Sequence, residues 1–251
     1  MILFPNRRYN RIRLAQAFAT VPRVDISIEC LIEDQMGVAY VDSLTHPRYF
    51  MIEQDHFFCY LSGDFTTGGQ DFIKSIPNES FLMAGSDGWE NAVNTALTDG
   101  VVPVKRYKYS SKSLSITHLE TLAQNNLNTP HIKQIDAQIA NTKNDFLGLG
   151  AFDSVEDFIE RGIGFCMMEA DTIIGVAYSS LVCSNAIEVS IIVDEKHYRK
   201  GIATALSCQL LKWCLEHHQD PHWDASNEES CKLAEKLGYV SDGEYMAYYR
   251  K

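Results

Sequence analysis

The chain has 251 residues, 45% of them hydrophobic, enough for a packed core in one large domain or two small ones. Its formal net charge of −11 argues against general nucleic-acid binding, which needs a concentrated basic surface, and suits a cationic, amine-bearing substrate steered by the field. Seven scattered cysteines without a Cys-x-x-Cys pair argue against a disulfide framework or zinc site and read as a reduced cytoplasmic protein. No apolar run reaches membrane-spanning length, and the first residues carry too short an apolar stretch for a signal peptide.

Along the chain, residues 11–20 and 25–33 have helical spacing, whereas 37–41, 48–52 and 57–61 read as strands separated by turn residues. Residues 81–84 form a further strand that runs into Gly85-Ser86-Asp87-Gly88, with a helix over 89–97 capped by Ser86 or Asp87. The run 85–90 could be a second ligand site; the structural alternative is a cap and turn anchored by Trp89. Residues 102–109 suggest a basic, aromatic strand, and the polar stretch 110–115 is the first choice of linker, with 125–130 a competitor.

The second half reads as a strand at 132–135 and a helix at 155–161 that starts at Asp153 or Ser154 and is stopped by Gly162. Antiparallel strands follow at 164–168 and 173–182, joined by a turn at Ala170-Asp171. A strand at 187–193 leads into a basic turn and a helix over 204–217. A short strand at 222–225, a helix over 227–237 closed by Gly238, and a strand at 244–249 complete the pattern. Strands and helices in this order predict a mixed α/β layer architecture.

The most informative stretch is 197–206, His-Tyr-Arg-Lys-Gly-Ile-Ala-Thr-Ala-Leu, between an apolar strand and a helix start. The first helical turn has N–H groups without intrahelical partners and gains partial positive charge from the macrodipole. Arg199 and Lys200 add full charge, and Gly201 lets a ligand approach the backbone closely. Such a turn can hold a pyrophosphate, although it matches neither the Walker loop nor the Gly-x-Gly-x-x-Gly fingerprint. The alternative is a basic turn before an ordinary helix.

Residues 222–239 read His-Trp-Asp-Ala-Ser-Asn-Glu-Glu-Ser-Cys-Lys-Leu-Ala-Glu-Lys-Leu-Gly-Tyr. Together with the turn at 198–203 they resemble the GNAT superfamily of acetyl-CoA-dependent N-acyltransferases. Gly201 and Ala203 match the last fixed positions of the superfamily's Gln/Arg-x-x-Gly-x-Gly/Ala pattern. Asn227, Ser230, Leu233, Gly238 and Tyr239 match its second pattern. The text is similar to a bacterial subfamily related to zwittermicin A resistance acetyltransferases. Two positions depart: Tyr198 stands where Gln or Arg is usual, and Ala234 where many members carry the tyrosine that protonates the leaving thiolate.

The resemblance implies a GNAT-like core with a central, mostly antiparallel sheet flanked by helices over residues 116–251. A smaller α/β region, a degenerate relative of that core, is expected over 1–115 and would supply walls of the acceptor pocket. It implies acetyl-CoA as co-substrate, no metal, and direct attack by a primary amine of a small molecule. The phosphates would meet Arg199, Lys200, Gly201, Ile202, Ala203 and Thr204; the pantetheine arm would meet Ile191, Ile192 and Val193, with Asn227 and Ser230 beside it. Glu188 leads as general base, with an outward, solvated strand residue as the alternative. Ser190 shares its face.

Each remaining candidate carries a structural alternative. Asn227 is also a favoured helix cap, and Ser230 a small residue tolerated in helix packing. Asp224 favours fixing a loop over binding substrate. Tyr245, Tyr248 and Tyr249 are the phenols that could replace the missing acid, with Tyr245 foremost; packing is their alternative. The His217-His218 pair complements a helix end and has no ligand partner at metal spacing. The rival function is a CoA-binding sensor or interaction module without turnover. No nucleic-acid or membrane partner is expected, and a homodimer is left open.

Overall fold

The computed structural model describes residues 1–64, 69–98, 100–142 and 146–251. It divides into two compact units: Met1–Arg106 with Glu244–Lys251, and Tyr107–Gly243.

In unit 1 the chain forms β1 (Ile2–Leu3), α1 (Arg8–Ala17), α2 (Ser27–Ile32), β2 (Val38–Val41), β3 (Tyr49–Gln54), β4 (Phe58–Gly63), α3 (Gly69–Lys74), β5 (Phe81–Ala84) and α4 (Asp87–Ala96), and then enters β6 (Val101–Ser110). β1 to β4 are antiparallel neighbours in sequence order, and β5 lies parallel to β4. The other side of β5 is taken by the end of the last strand, β12 (Val240–Arg250), through Tyr248↔Leu82 and Tyr249↔Phe81. Period-2 alternation splits the apolar residues between two cores. Ile52 and Tyr60 join Phe4, Phe18 and Leu31 on one face, while Met51, Cys59 and Leu61 join Phe72, Trp89 and Val93 on the other. β3 is buried along its whole length because both faces are covered.

The 85–90 run takes its structural role. Ser86 caps α4 by accepting a hydrogen bond from Trp89 N at 3.4 Å, and the buried Trp89 donates its indole N–H to Gly63 O at 3.2 Å.

Unit 2 adds α5 (Ile116–Gln124), a 3₁₀ turn at Thr129–His131, β7 (Ile132–Gln134), α6 (Ala137–Ala140), α7 (Val155–Arg161), β8 (Gly164–Glu169), β9 (Thr172–Cys183) and β10 (Ala186–Val193). A second 3₁₀ turn, Glu195–His197, precedes α8 (Ile202–Glu216), β11 (Asp220–Ala225) and α9 (Glu228–Leu237). β7 to β10 are antiparallel, β11 is parallel to β10, and β6 closes this set by pairing antiparallel with β11 through Tyr107, Lys108 and Tyr109. Caps mark the helix ends: Ser154 accepts from Asp157 N, Asn227 from Ser230 N, and Gly238 ends α9 in the left-handed region at φ 103°. α8 buries nine residues and packs on the sheet through Ile202, Leu206 and Leu210.

Leaving aside α5 and the short 3₁₀ turns, the chain runs twice through one element order, over β1–β6 and again over β7–β12: a strand, two helices, three antiparallel strands, a helix, a parallel strand, a helix and a final strand. In each, the parallel strand is flanked by a final strand from elsewhere in the sequence, β12 on β5 and β6 on β11. The mixed α/β class and mostly antiparallel sheets agree with the sequence expectation. Helices α3, α5 and α6 had not been expected; α5 occupies the whole segment between the two candidate linkers.

A Cβ at Gly85 would meet Leu61 O at 2.6 Å and a Val21 methyl at 2.8 Å. Gly85→Ala is therefore expected to cost about 1–3 kcal/mol of stability, read as a lower urea midpoint at unchanged slope. An unchanged midpoint would mean the Val21–Gly85 contact relaxes freely.

Candidate active site

The site begins where two parallel strands part. β10 and β11 pair over Ala186↔Asp220, Ile187↔Pro221 and Glu188↔His222, and no further. β10 continues to Val193 against β9 alone, whereas Trp223, Asp224 and Ala225 of β11 pair with β6. At this point β9 passes one extra residue, Ser180, between its partners of Glu188 and Val189. A bulge of this kind raises the local twist and turns strand directions apart. The Ser180 hydroxyl donates to Glu188 O at 3.3 Å. Beyond the last rung, the β10 backbone groups of residues 189–193 that do not face β9 border a gap where an extended ligand could bind as an added strand.

Alternation sorts the side chains of β10. Ile187, Val189, Ile191 and Val193 pack in the core beneath α8, which leaves Glu188, Ser190 and Ile192 on the opposite face. Glu188 is only 9% exposed, and its Oε2 lies 3.0 Å from Nδ1 of half-buried His222. Ser190 is the cross-strand partner of Tyr178, so the two share a face; the Tyr178 hydroxyl accepts a hydrogen bond from Gly148 N at 3.2 Å. His222, Glu188, Ser190 and Tyr178 thus form a polar row at the fork. Glu188 and Ser190 are among the residues picked out from sequence. His222 was missed, although it opens a strand that was recognised, because the register of one parallel strand on another leaves no local signal.

At the carboxyl end of β10 the chain makes the basic turn. Arg199 has φ 61° and Gly201 φ 82°, while Lys200 between them has no positive φ. This alternation of sign is the geometry of a backbone nest, whose N–H groups converge on an anion. A left-handed Arg is uncommon and costs of order 1–3 kcal/mol, strain that concentrates at functional sites. Among the described residues, no acceptor faces the backbone N–H groups from Arg199 to Thr204. The carbonyls of the turn are held instead: Asn126 Nδ2 donates to Gly201 O and Asn128 Nδ2 to Lys200 O, each at 2.8 Å. A Cβ on Gly201 would come within 3.3 Å of Asn126 Nδ2, in addition to its unfavourable φ.

The residues assigned to the cofactor divide by side chain and backbone. Arg199 and Lys200 are exposed cations. Ile202 is buried in the α8 core, which leaves only its backbone N–H for a ligand. The Thr204 hydroxyl accepts from Lys236 Nζ at 3.1 Å, which brings a third cation, unnoticed in the sequence, to the first turn of α8. Asn227 is exposed and spends its Oδ1 on Ser230 N at 2.9 Å, the capping role; the Ser230 hydroxyl accepts from the Trp223 indole at 3.2 Å. Both α8 and α9 start at the carboxyl ends of the parting strands, the position where open α/β sheets bind ligands.

Ala234 is fully buried and offers no proton at the usual place of the tyrosine. The Tyr239 ring lies tilted against Trp223, with centroids 5.1 Å apart, and its hydroxyl donates to Pro221 O at 2.8 Å. Burial, with the nearby Cys214, Asp220 and Glu188, pushes its phenol well above the ordinary range, so its role is structural. Tyr245 belongs to unit 1, where it packs beside the Phe4–Tyr60 core and its hydroxyl accepts from Arg106 Nε at 3.2 Å. Tyr248 and Tyr249 also pack there, donating to Glu90 and lying against Phe81 respectively. His217 stacks on Trp213 at 4.0 Å.

All seven cysteines are free and six are buried. Burial pushes the Cys59 and Cys214 thiols up to about 12 and those of Cys166 and Cys208 up to about 11, so these four stay protonated and unreactive at neutral pH. In unit 1 the corresponding parallel pair, β4 and β5, stays joined over four rungs, Phe58↔Phe81 to Leu61↔Ala84, and β4 ends two residues later. Residues 65–68, which follow β4, lie outside the described residues.

A family model described as GNAT acetyltransferase matches residues 17–248. The chain is similar to the uncharacterized N-acetyltransferase YdfB of Bacillus subtilis (strain 168), with 25% identity over 229 residues and 85% of each chain covered. It also resembles the crystal structure of a GCN5-related N-acetyltransferase-like protein from Streptococcus suis 89/1591. There the TM-score is 0.84 and the identity 28%, over 96% of this chain and 98% of that one. The fold, at 11% identity and TM-score 0.58, is shared with a tandem GNAT protein from the clavulanic acid biosynthesis pathway, over 98% of this chain and 96% of that one. With the match running through both units and over the forked strands and basic turn of the second, the chain belongs to the GNAT acetyltransferase family and is an acyltransferase.

Proposed function

We propose that unit 2 transfers an acetyl group from acetyl-CoA to a primary amine of a small molecule by direct attack. The observation that carries this reading is the fork itself. A buried carboxylate and an imidazole sit at the last rung of two parallel strands, and a turn with unclaimed N–H groups stands at their carboxyl ends. The residues fit the donor. The N–H groups of Arg199 to Thr204, with the charges of Arg199 and Lys200, would hold its pyrophosphate. The backbone of Ile191, Ile192 and Val193 would take the pantetheine arm in the gap, flanked by Asn227 and Ser230. Acetyl-CoA supplies the acyl group as a thioester.

An aliphatic amine with pKa about 10 is only roughly one part in a thousand deprotonated at pH 7, so a base is required. In this reading Glu188 accepts that proton, and His222, 3.0 Å away, orients the carboxylate. The freed nitrogen forms the C–N bond as the C–S bond breaks. The raised thiol pKa of the buried cysteines supports this one-step route over a covalent one. The proton for the leaving thiolate comes in this reading from a phenol, either Tyr178 on Glu188's own face of unit 2 or the sequence candidate Tyr245. Free cysteines favour a reducing, cytoplasmic setting. Among the described residues no helix is long and apolar enough to cross a membrane. The zwittermicin-type resemblance suggests an amino-bearing antibiotic as acceptor. A CoA-binding sensor without turnover is the second reading, favoured by Ala234 in the place of the acid.

Gly201→Glu is expected to abolish acetyl-CoA binding in a calorimetric titration; a wild type that binds none at millimolar concentration would sink the reading. In a turnover screen against an amine panel, Glu188→Gln should lower kcat by about 100- to 10,000-fold while acetyl-CoA affinity stays the same. Equal turnover in the variant would remove Glu188 as base, and no turnover of any amine by the wild type would favour the sensor. In the same screen, the acid is whichever of Tyr178→Phe and Tyr245→Phe depresses the alkaline limb of the kcat profile; if neither does, water supplies the proton.

A further inference from the structure

The two asparagines that touch the basic turn come from the segment between α5 and β7, 75 and 72 residues away in sequence from the carbonyls they bind. That segment is firmly built. Leu119 of α5 is fully buried in the core with Cys208 and Leu211 of α8, and Glu120 pairs with Lys212 at 2.6 Å. Thr129 Oγ1 donates to Ala123 O at 2.8 Å and closes the bend. Within it, Asn126 Oδ1 accepts from both the backbone N and the Nδ2 of Asn128, each at 3.0 Å. These bonds fix both side-chain amides with their Nδ2 groups directed at the turn.

A trans peptide is planar, with its C=O and N–H pointing in opposite directions. Holding Lys200 O therefore aims Gly201 N–H away from Asn128, and holding Gly201 O aims Ile202 N–H away from Asn126. Arg199 stays at φ 61° without a side-chain cap on α8 to hold it there. We propose that Asn126 and Asn128 are positioning residues that lock the basic turn in the form that receives the pyrophosphate of CoA. This rests on the acetyl-CoA reading of the turn. Without the clamp, binding would have to order the turn and lose affinity by that amount.

The test titrates the full chain with two probes: CoA, by calorimetry, and pantetheine, which has the arm but no pyrophosphate, by NMR. Asn126→Ala and Asn128→Ala are each expected to raise the CoA Kd about 5- to 10-fold. The pantetheine Kd should stay within about twofold, and the melting temperature nearly unchanged. Asn126→Asp keeps the shape but sets an acceptor against a carbonyl; it should weaken CoA at least as much, and it serves if the alanine variant folds poorly. Equal weakening of both probes would reduce the asparagines to scaffolding and overturn the proposal, as would unchanged CoA affinity. Wild type that fails to bind CoA overturns the acetyl-CoA reading, and the clamp with it; loss confined to the variants leaves that reading standing.

Discussion

Two parallel strands in one sheet normally stay hydrogen-bonded to each other, because exposed backbone groups inside a fold are costly. β10 and β11 nonetheless separate after Glu188 and His222: each keeps a partner on its outer side, β9 for β10 and β6 for β11, while the inward-facing backbone groups are left to border the gap. The extra residue Ser180 sets the twist at the point of parting, and its hydroxyl occupies the Glu188 carbonyl. Everything else at the site follows from this fork. It opens a gap lined by backbone, brings a carboxylate and an imidazole together on one face, and puts two helix starts at its mouth.

The chemistry of the turn is a matter of which polar groups are already engaged. Its carbonyls are taken by Asn126, Asn128 and the first helical bond from Ala205 N. Its N–H groups are not, and exposed Arg199 and Lys200, with Lys236 at Thr204, add positive charge. A surface that offers donors and cations, with the Lys200 and Gly201 carbonyls already engaged, favours an anion. The chain as a whole carries −11, so this is local positive charge set against a negative general field.

The repeated element order of the two units makes a comparison within one chain. β4 and β5 of unit 1 remain paired for four rungs, and β4 ends soon after, so among the described residues that pair forms no fork like the one in unit 2. The surrounding helices and both apolar cores are nonetheless well packed. The same succession of elements thus gives a continuously paired parallel pair in one unit and a forked one in the other. The two pairs differ in the length of strand past the last shared rung and in the bulge of β9 opposite Glu188 and Val189.

Local signals carried much of this into the sequence. Alternation gave β8 to β10, the Ser154 and Asn227 caps gave the starts of α7 and α9, and Gly238 gave its end, since each depends on residues within one or two turns of chain. The basic turn and Gly201 were legible for the same reason: their φ demands and charges are properties of adjacent residues. Other features were decided only by the tertiary structure. The Glu188–His222 contact depends on the register of two strands, the extra Ser180 on the match between β9 and β10, and the membership of Tyr245 in unit 1 on the pairing of β12 with β5. Asn126 and Asn128 sit in a stretch that reads as a polar linker, and they acquire a role because α5 packs on α8 and delivers them to the turn. Sequence determines what each short segment can do alone; contacts between distant segments decide which of those capacities are brought to one place.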